Sequence, residues 1–230
     1  MANSDELPSL LGITVRRSLT VGRISLLIGT GMVVIYSAAF GFGGALLSTI
    51  GALVLPIFAV SGGLGGALVY TNDRMKGVLE YLASYGVSSR HLLLNAIVAG
   101  IVQATIVLSA GTAAGVATYL LSGNVLTAQL PESLLAYTFP MSYLTVTMMT
   151  TVGVFWTSLA SPRSGMNSPL GVLPLLGVMP TAAVLVVALA LPAHGVQIAL
   201  AAELVMFVVV LSLLARTDRF MPTERLLSPA

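Results

Sequence analysis

The chain has 230 residues, of which 57% are hydrophobic and 8% charged, with a formal net charge of +2 and a mean hydropathy of +0.99. A soluble domain carries about 25% charged residues, so this chain cannot cover its surface with polar groups and reads as an all-α integral membrane protein. The small net charge argues against a nucleic-acid partner, the absence of cysteine excludes disulfides and thiolate metal sites, and the distant His91 and His194 form no histidine cluster.

The N-terminal MANSDELPSL is polar, acidic and contains Pro8, the wrong order for a cleaved leader. Leu7, Leu11, Val15 and Leu19 then recur every four residues, with Leu10 beside them and Arg17 at the edge of the stripe. Ser9, Arg16, Thr20 and Arg23 lie away from it. This pattern predicts a helix over 5–22 lying in the bilayer interface among lipid headgroups; the plainer reading is a positive flank that fixes topology.

A helical span needs about 20 apolar residues. Six runs qualify, at about 24–46, 47–71, 92–122, 134–160, 170–192 and 196–215. Gly41, Gly43 and Gly44 join the first two with no intervening charge, so their boundary is soft. Lysine and arginine mark the cytoplasmic side. All ten fall before the first span (Arg16, Arg17, Arg23), between the second and third (Arg74, Lys76, Arg90), between the fourth and fifth (Arg163) or after the sixth (Arg216, Arg219, Arg225). The other three connections hold none, which orients both termini to the cytoplasm. Those outer connections are short and leave no room for an external domain. No GxxxxGK[ST] phosphate loop occurs, so any ATP chemistry belongs to another chain.

The segment 72–91, NDRMKGVLEYLASYGVSSRH, is a charged island between apolar runs. Asn72 is an expected N-cap, with Asp73 at the positive end of the helix dipole. Met75, Val78, Leu79 and Leu82 fall on one apolar face. Lys76 and Glu80 stand at a spacing that allows an ion pair, and Tyr81 and Tyr85 form a second such pair. Gly86 is the expected left-handed stop, and Ser88 or Ser89 the cap of the helix that re-enters the membrane. Periodicity alone is equally served by a loop helix without a partner.

The run DRMKGVLEYLASYGVSSRHLLLNAIVAG resembles the cytoplasmic coupling segment of the permease subunits of type 2 ATP-binding-cassette (ABC) exporters. The matching positions are Asp73, Arg74, Gly77, Val78, Leu79, Glu80, Leu82, Gly86, Val87, Ser88, Ser89 and Arg90. Gly86 stands at or near a break where that family often has proline. The resemblance covers under thirty residues, and the interfacial helix, six spans and cytoplasmic ends agree with it in architecture. It implies a multi-pass subunit in a prokaryotic cell membrane that binds no cofactor itself. A separate ABC ATPase subunit would hold ATP and magnesium, and a second permease subunit, identical or not, would complete the pathway. Asp73, Arg74, Lys76, Gly77, Glu80, Tyr81 and Arg90 would then couple to the ATPase, while Met75, Val78, Leu79 and Leu82 hold the helix to the bundle.

Elsewhere, Glu203 is the one acidic residue well inside a predicted span; it and Gln103 are candidate pathway polar groups, or structural ones. Gly62xxxGly66 and Gly111xxxGly115 permit close helix packing. Pro56, Pro174 and Pro180 are candidate kinks. The turn-rich 161–171 is a connector or a second ATPase contact. An ion-gradient transporter or channel using Glu203, or a non-transporting assembly subunit, remains as an alternative. An intramembrane serine protease would need a histidine within a span to serve Ser61, and no span holds one; HExxH is absent. The scarcity of charge and aromatics in the spans points to an apolar or amphipathic cargo.

Overall fold

In a computed structural model the residues described are 7–42, 57–58, 60–123, 132–159, 183, 186 and 195–220. All the regular structure among them is helical: α1 (Leu7–Val21), α2 (Arg23–Phe42), α3 (Val60–Met75), α4 (Val78–Ser84), α5 (Ser89–Leu121), α6 (Glu132–Leu159), α7 (Gly195–Ala215) and α8 (Thr217–Phe220). Residues 47–56 of the second predicted span, nearly all of the fifth, Pro56, Pro174, Pro180 and 161–171 lie outside the described residues.

α5 is long and apolar enough to cross a bilayer. Its 33 residues rise about 50 Å at 1.5 Å each, well beyond the roughly 30 Å hydrocarbon thickness. Only its N-terminal end, Ser89–His91, lies outside the span predicted at 92–122, and it closes one residue short of that span, at Leu121. α1 and α2 qualify only together, as a pair bent by 70° at Gly22. The stretches Phe139–Phe155 of α6 and Ala201–Ala215 of α7 are apolar but shorter. The described helices thus supply one clear spanning element, not the six expected.

Contacts fix the helix directions. Gly22 meets Gln103, whereas Val33 and Ser37 meet Gly111, so α2 and α5 run the same way. α3 runs against them: Gly65 meets Gln103, and Tyr70 joins Leu92, Leu93, Ala96 and Ile97. α6 also opposes α5, because Tyr143 reaches Thr105 (3.2 Å between hydroxyls) while Val154 lies in the Leu92–Ile97 cluster. α7 runs parallel to α6: Met206 packs on Met141, and Leu214 packs near Val154.

Apolar side chains cover much of the outside. Ile24, Leu27, Ile28 and Ile35 on α2, and Leu204, Val205 and Val208 on α7, are all more than half exposed. In water such a surface is a liability; against lipid tails it is the ordinary solution. The glycine motifs pack within the chain. Gly66 abuts the backbone of Ala96, and Gly111 and Gly115 admit α2 at Val33 and Ser37. The surroundings of Gly62 lie outside the described side chains.

Candidate functional site: the 72–91 segment and its seat

The island folds differently at its start from its sequence pattern. Asn72 is not an N-cap, because α3 continues unbroken through Asn72 and Asp73 to Met75. Asp73 therefore sits in the last turn of a helix, where the dipole disfavours a carboxylate. Its compensation comes from a distant part of the sequence: Arg17 Nη2 on α1 lies 2.5 Å from Asp73 Oδ1. Burial pushes the Asp73 carboxyl above its ordinary range, with Arg17 and then Lys76 pulling it back.

The break falls at Lys76–Gly77. Gly77 adopts φ 69°, a left-handed conformation that side chains resist, and its carbonyl accepts from Tyr81 N at 3.2 Å to begin α4. With two helices in place of one, Lys76 and Glu80 no longer share a helix face, and no ion pair joins them. Met75, assigned by periodicity to the packing face, ends on α3 instead and is 51% exposed.

The second half of the segment matches its sequence pattern. Gly86 takes φ 83° and donates to Ala83 O at 2.9 Å, while Val87 N donates to Leu82 O at 3.2 Å. This paired closure is a Schellman motif, and the apolar contact between Leu82 and Val87 that accompanies it is present, since both pack on one cluster. Ser88 caps α5, accepting from His91 N at 3.4 Å and meeting His91 Nδ1 at 2.7 Å.

α4 follows directly on α3 and joins one apolar cluster with the ends of α3, α5, α6 and α7. Leu79 and Ala83 are buried and Leu82 partly so, among Tyr70 of α3, Leu92, Leu93, Ala96 and Ile97 of α5, Val154 and Phe155 of α6, and Leu214 of α7. Val78 is half-buried. Glu80 is half-buried too, with Oε2 buried and without a hydrogen-bond partner among the described residues. Arg74, also half-buried, lies with Glu80 in electrostatic reach of the buried Tyr70 hydroxyl. Lys76, Tyr81 and Arg90 face outward.

Gln103 is fully buried where α1, α2, α3 and α5 meet. Its Nε2 donates to Ser18 O at 2.7 Å, just before the bend at Gly22. Any side chain at Gly65 would overlap its amide. Of the two roles its sequence leaves open, pathway group or structural group, the geometry fits the second: Gln103 holds the α1–α2 elbow to the bundle. Glu203 is partly buried on α7, with Oε2 buried and lacking a hydrogen-bond partner among the described residues.

Comparison with protein-family models, with curated proteins and with solved structures gives no match. The function therefore rests on this chain's own residues.

Proposed function

We propose that this chain is the transmembrane subunit of an ATP-driven exporter of the ABC type, worked by a separate ATPase subunit that docks on the 72–91 segment. The observation that carries the reading is the seat of α4. A short helix whose buried side chains share one apolar cluster with the ends of α3, α5, α6 and α7 can pass a push from outside through that cluster to those helices. Cores resist continuous deformation, so such a push favours a switch between discrete packings.

Six spans with both termini cytoplasmic are part of the proposal. The helix directions support it: α2 and α5 lead away from the α4 end, and α3, α6 and α7 return toward it. Because α6 and α7 are parallel, the end of α6 and the start of α7 lie at opposite ends of the bundle, the arrangement that a further span between them requires. A second permease copy or homologue would complete the pathway, and the cargo is apolar or amphipathic.

Purification from native membranes tests the reading. The chain is expected to bring with it a protein that hydrolyses ATP, and Leu79→Ala, which loosens the seat of α4, is expected to uncouple hydrolysis from substrate movement. A native complex without ATP hydrolysis would end this reading. The unpartnered Oε2 of Glu203 favours a second one, an ion-coupled carrier. In that case Glu203→Gln abolishes a proton-driven flux in vesicles that contain no ATPase.

A further inference from the structure

The outward surface of the 72–91 segment is not the charged face that its spacing marks. Asp73 turns to Arg17, Glu80 places an oxygen inside the protein, and Arg74 is half-buried. What stands out instead are Tyr85 at 65% exposure, Tyr81 at 61% and Met75 at 51%. The two tyrosines are held to each other, with hydroxyls 3.3 Å apart and ring centroids 4.8 Å apart at an interplanar angle of 54°. A pair already ordered in this way loses little side-chain freedom when a partner covers it, and tyrosine is enriched among residues that dominate binding energy. The helix beneath is fixed by Leu79 and Ala83, so the pair is presented on a rigid base. The fully exposed charges of the segment, Lys76 and Arg90, are both cationic, since Asp73 is buried and Glu80 half-buried with one oxygen inside.

We propose that the Tyr81–Tyr85 pair, with Met75 beside the hinge, is the anchor by which the ATPase subunit is held. It would be received by an apolar cleft rimmed with carboxylates that meet Lys76 and Arg90. This inference rests on the exporter reading and gives it a contact surface: aromatic at the centre and cationic at the edge. Tyr85 joins the docking residues, and Asp73 and Glu80 leave them for roles inside the subunit.

The test uses the full chain in nanodiscs with the ATP-hydrolysing subunit that copurifies from native membranes. Y81A/Y85A is expected to reduce retention of that subunit by at least about tenfold, the scale of an interface hot spot. Y81F/Y85F, which keeps the rings, should retain most of it, and K76E/R90E should weaken it at low salt. Because Tyr85 is so exposed, Tyr85→Ala alone serves as a variant whose fold is safe. If the wild-type chain holds the ATPase and Y81A/Y85A holds it equally well, the anchor is wrong and the exporter reading survives. A chain that brings down no ATPase ends both. The discs are made of phosphatidylcholine, with or without phosphatidylglycerol. A loss confined to the phosphatidylglycerol discs identifies a headgroup contact and overturns the anchor.

Discussion

Arg17 and Asp73 show how one side chain can be costly to remove and its partner less so. Asp73 is buried, whereas Arg17 keeps 32% of its side chain exposed. Arg17→Ala strands a carboxylate, with an expected cost of about 1–3 kcal/mol; Asp73→Asn leaves a guanidinium that can still reach water. Thermal unfolding at neutral pH should therefore rank Arg17→Ala as the more damaging change. The pH dependence has a definite sign. Burial raises the folded carboxyl's pKa above its unfolded value, so the folded state holds the proton more tightly. This group's contribution is fully present below the unfolded pKa and is lost as pH rises through the folded one. The deficit of Arg17→Ala should accordingly shrink on acidification, and Asp73→Asn, which removes the titrating group, should abolish the pH dependence that this carboxyl gives the wild-type chain. Equal deficits at all pH values would remove the pair from the account. Gln103 permits a second test at this scale. Gly65→Ala displaces its amide and should cost about 1–3 kcal/mol, whereas G65A/Q103A should cost less than the sum of the two single changes.

At the scale of elements, the hinge and the stop around α4 depend on backbone conformations that only glycine adopts cheaply. Gly77 and Gly86 have φ of 69° and 83°, and forcing an ordinary residue there costs roughly 1–2 kcal/mol. Gly86→Ala should lower stability by about that amount, and Gly86→Asn by less, since asparagine tolerates this region. The periodicity of 72–91 placed Leu79, Leu82, Gly86 and Ser88 well, because a helix stripe, a stop and a cap are local signals. It misplaced Asn72 and Met75 because a second break at Lys76–Gly77 leaves no apolar gap in the pattern. Gly77 is the one local signal of that break.

For the whole molecule, a membrane-crossing α5 makes a topological prediction that the cysteine-free sequence allows to be tested directly. Single cysteines at the exposed Ser84 and Ser122 should react with a membrane-impermeant maleimide from opposite sides of a sealed vesicle. Labelling of both from one side would refute the proposed orientation.

Composition by itself set the expectation of a membrane protein, since 8% charged residues are far fewer than the roughly 25% of a soluble domain. Long apolar runs marked the stretches that form α2, α5, α6 and α7, because such a run is legible wherever it ends up. The tertiary structure decided which polar groups are structural. Arg17 with Asp73, and Gln103 with Ser18 and Gly65, are far apart in sequence, and no local pattern encodes a contact between helices. It also decided which face of the charged island looks outward. Burial of Leu79 and Ala83 fixes the rotation of α4, and that rotation presents Tyr85 at the surface beside Tyr81.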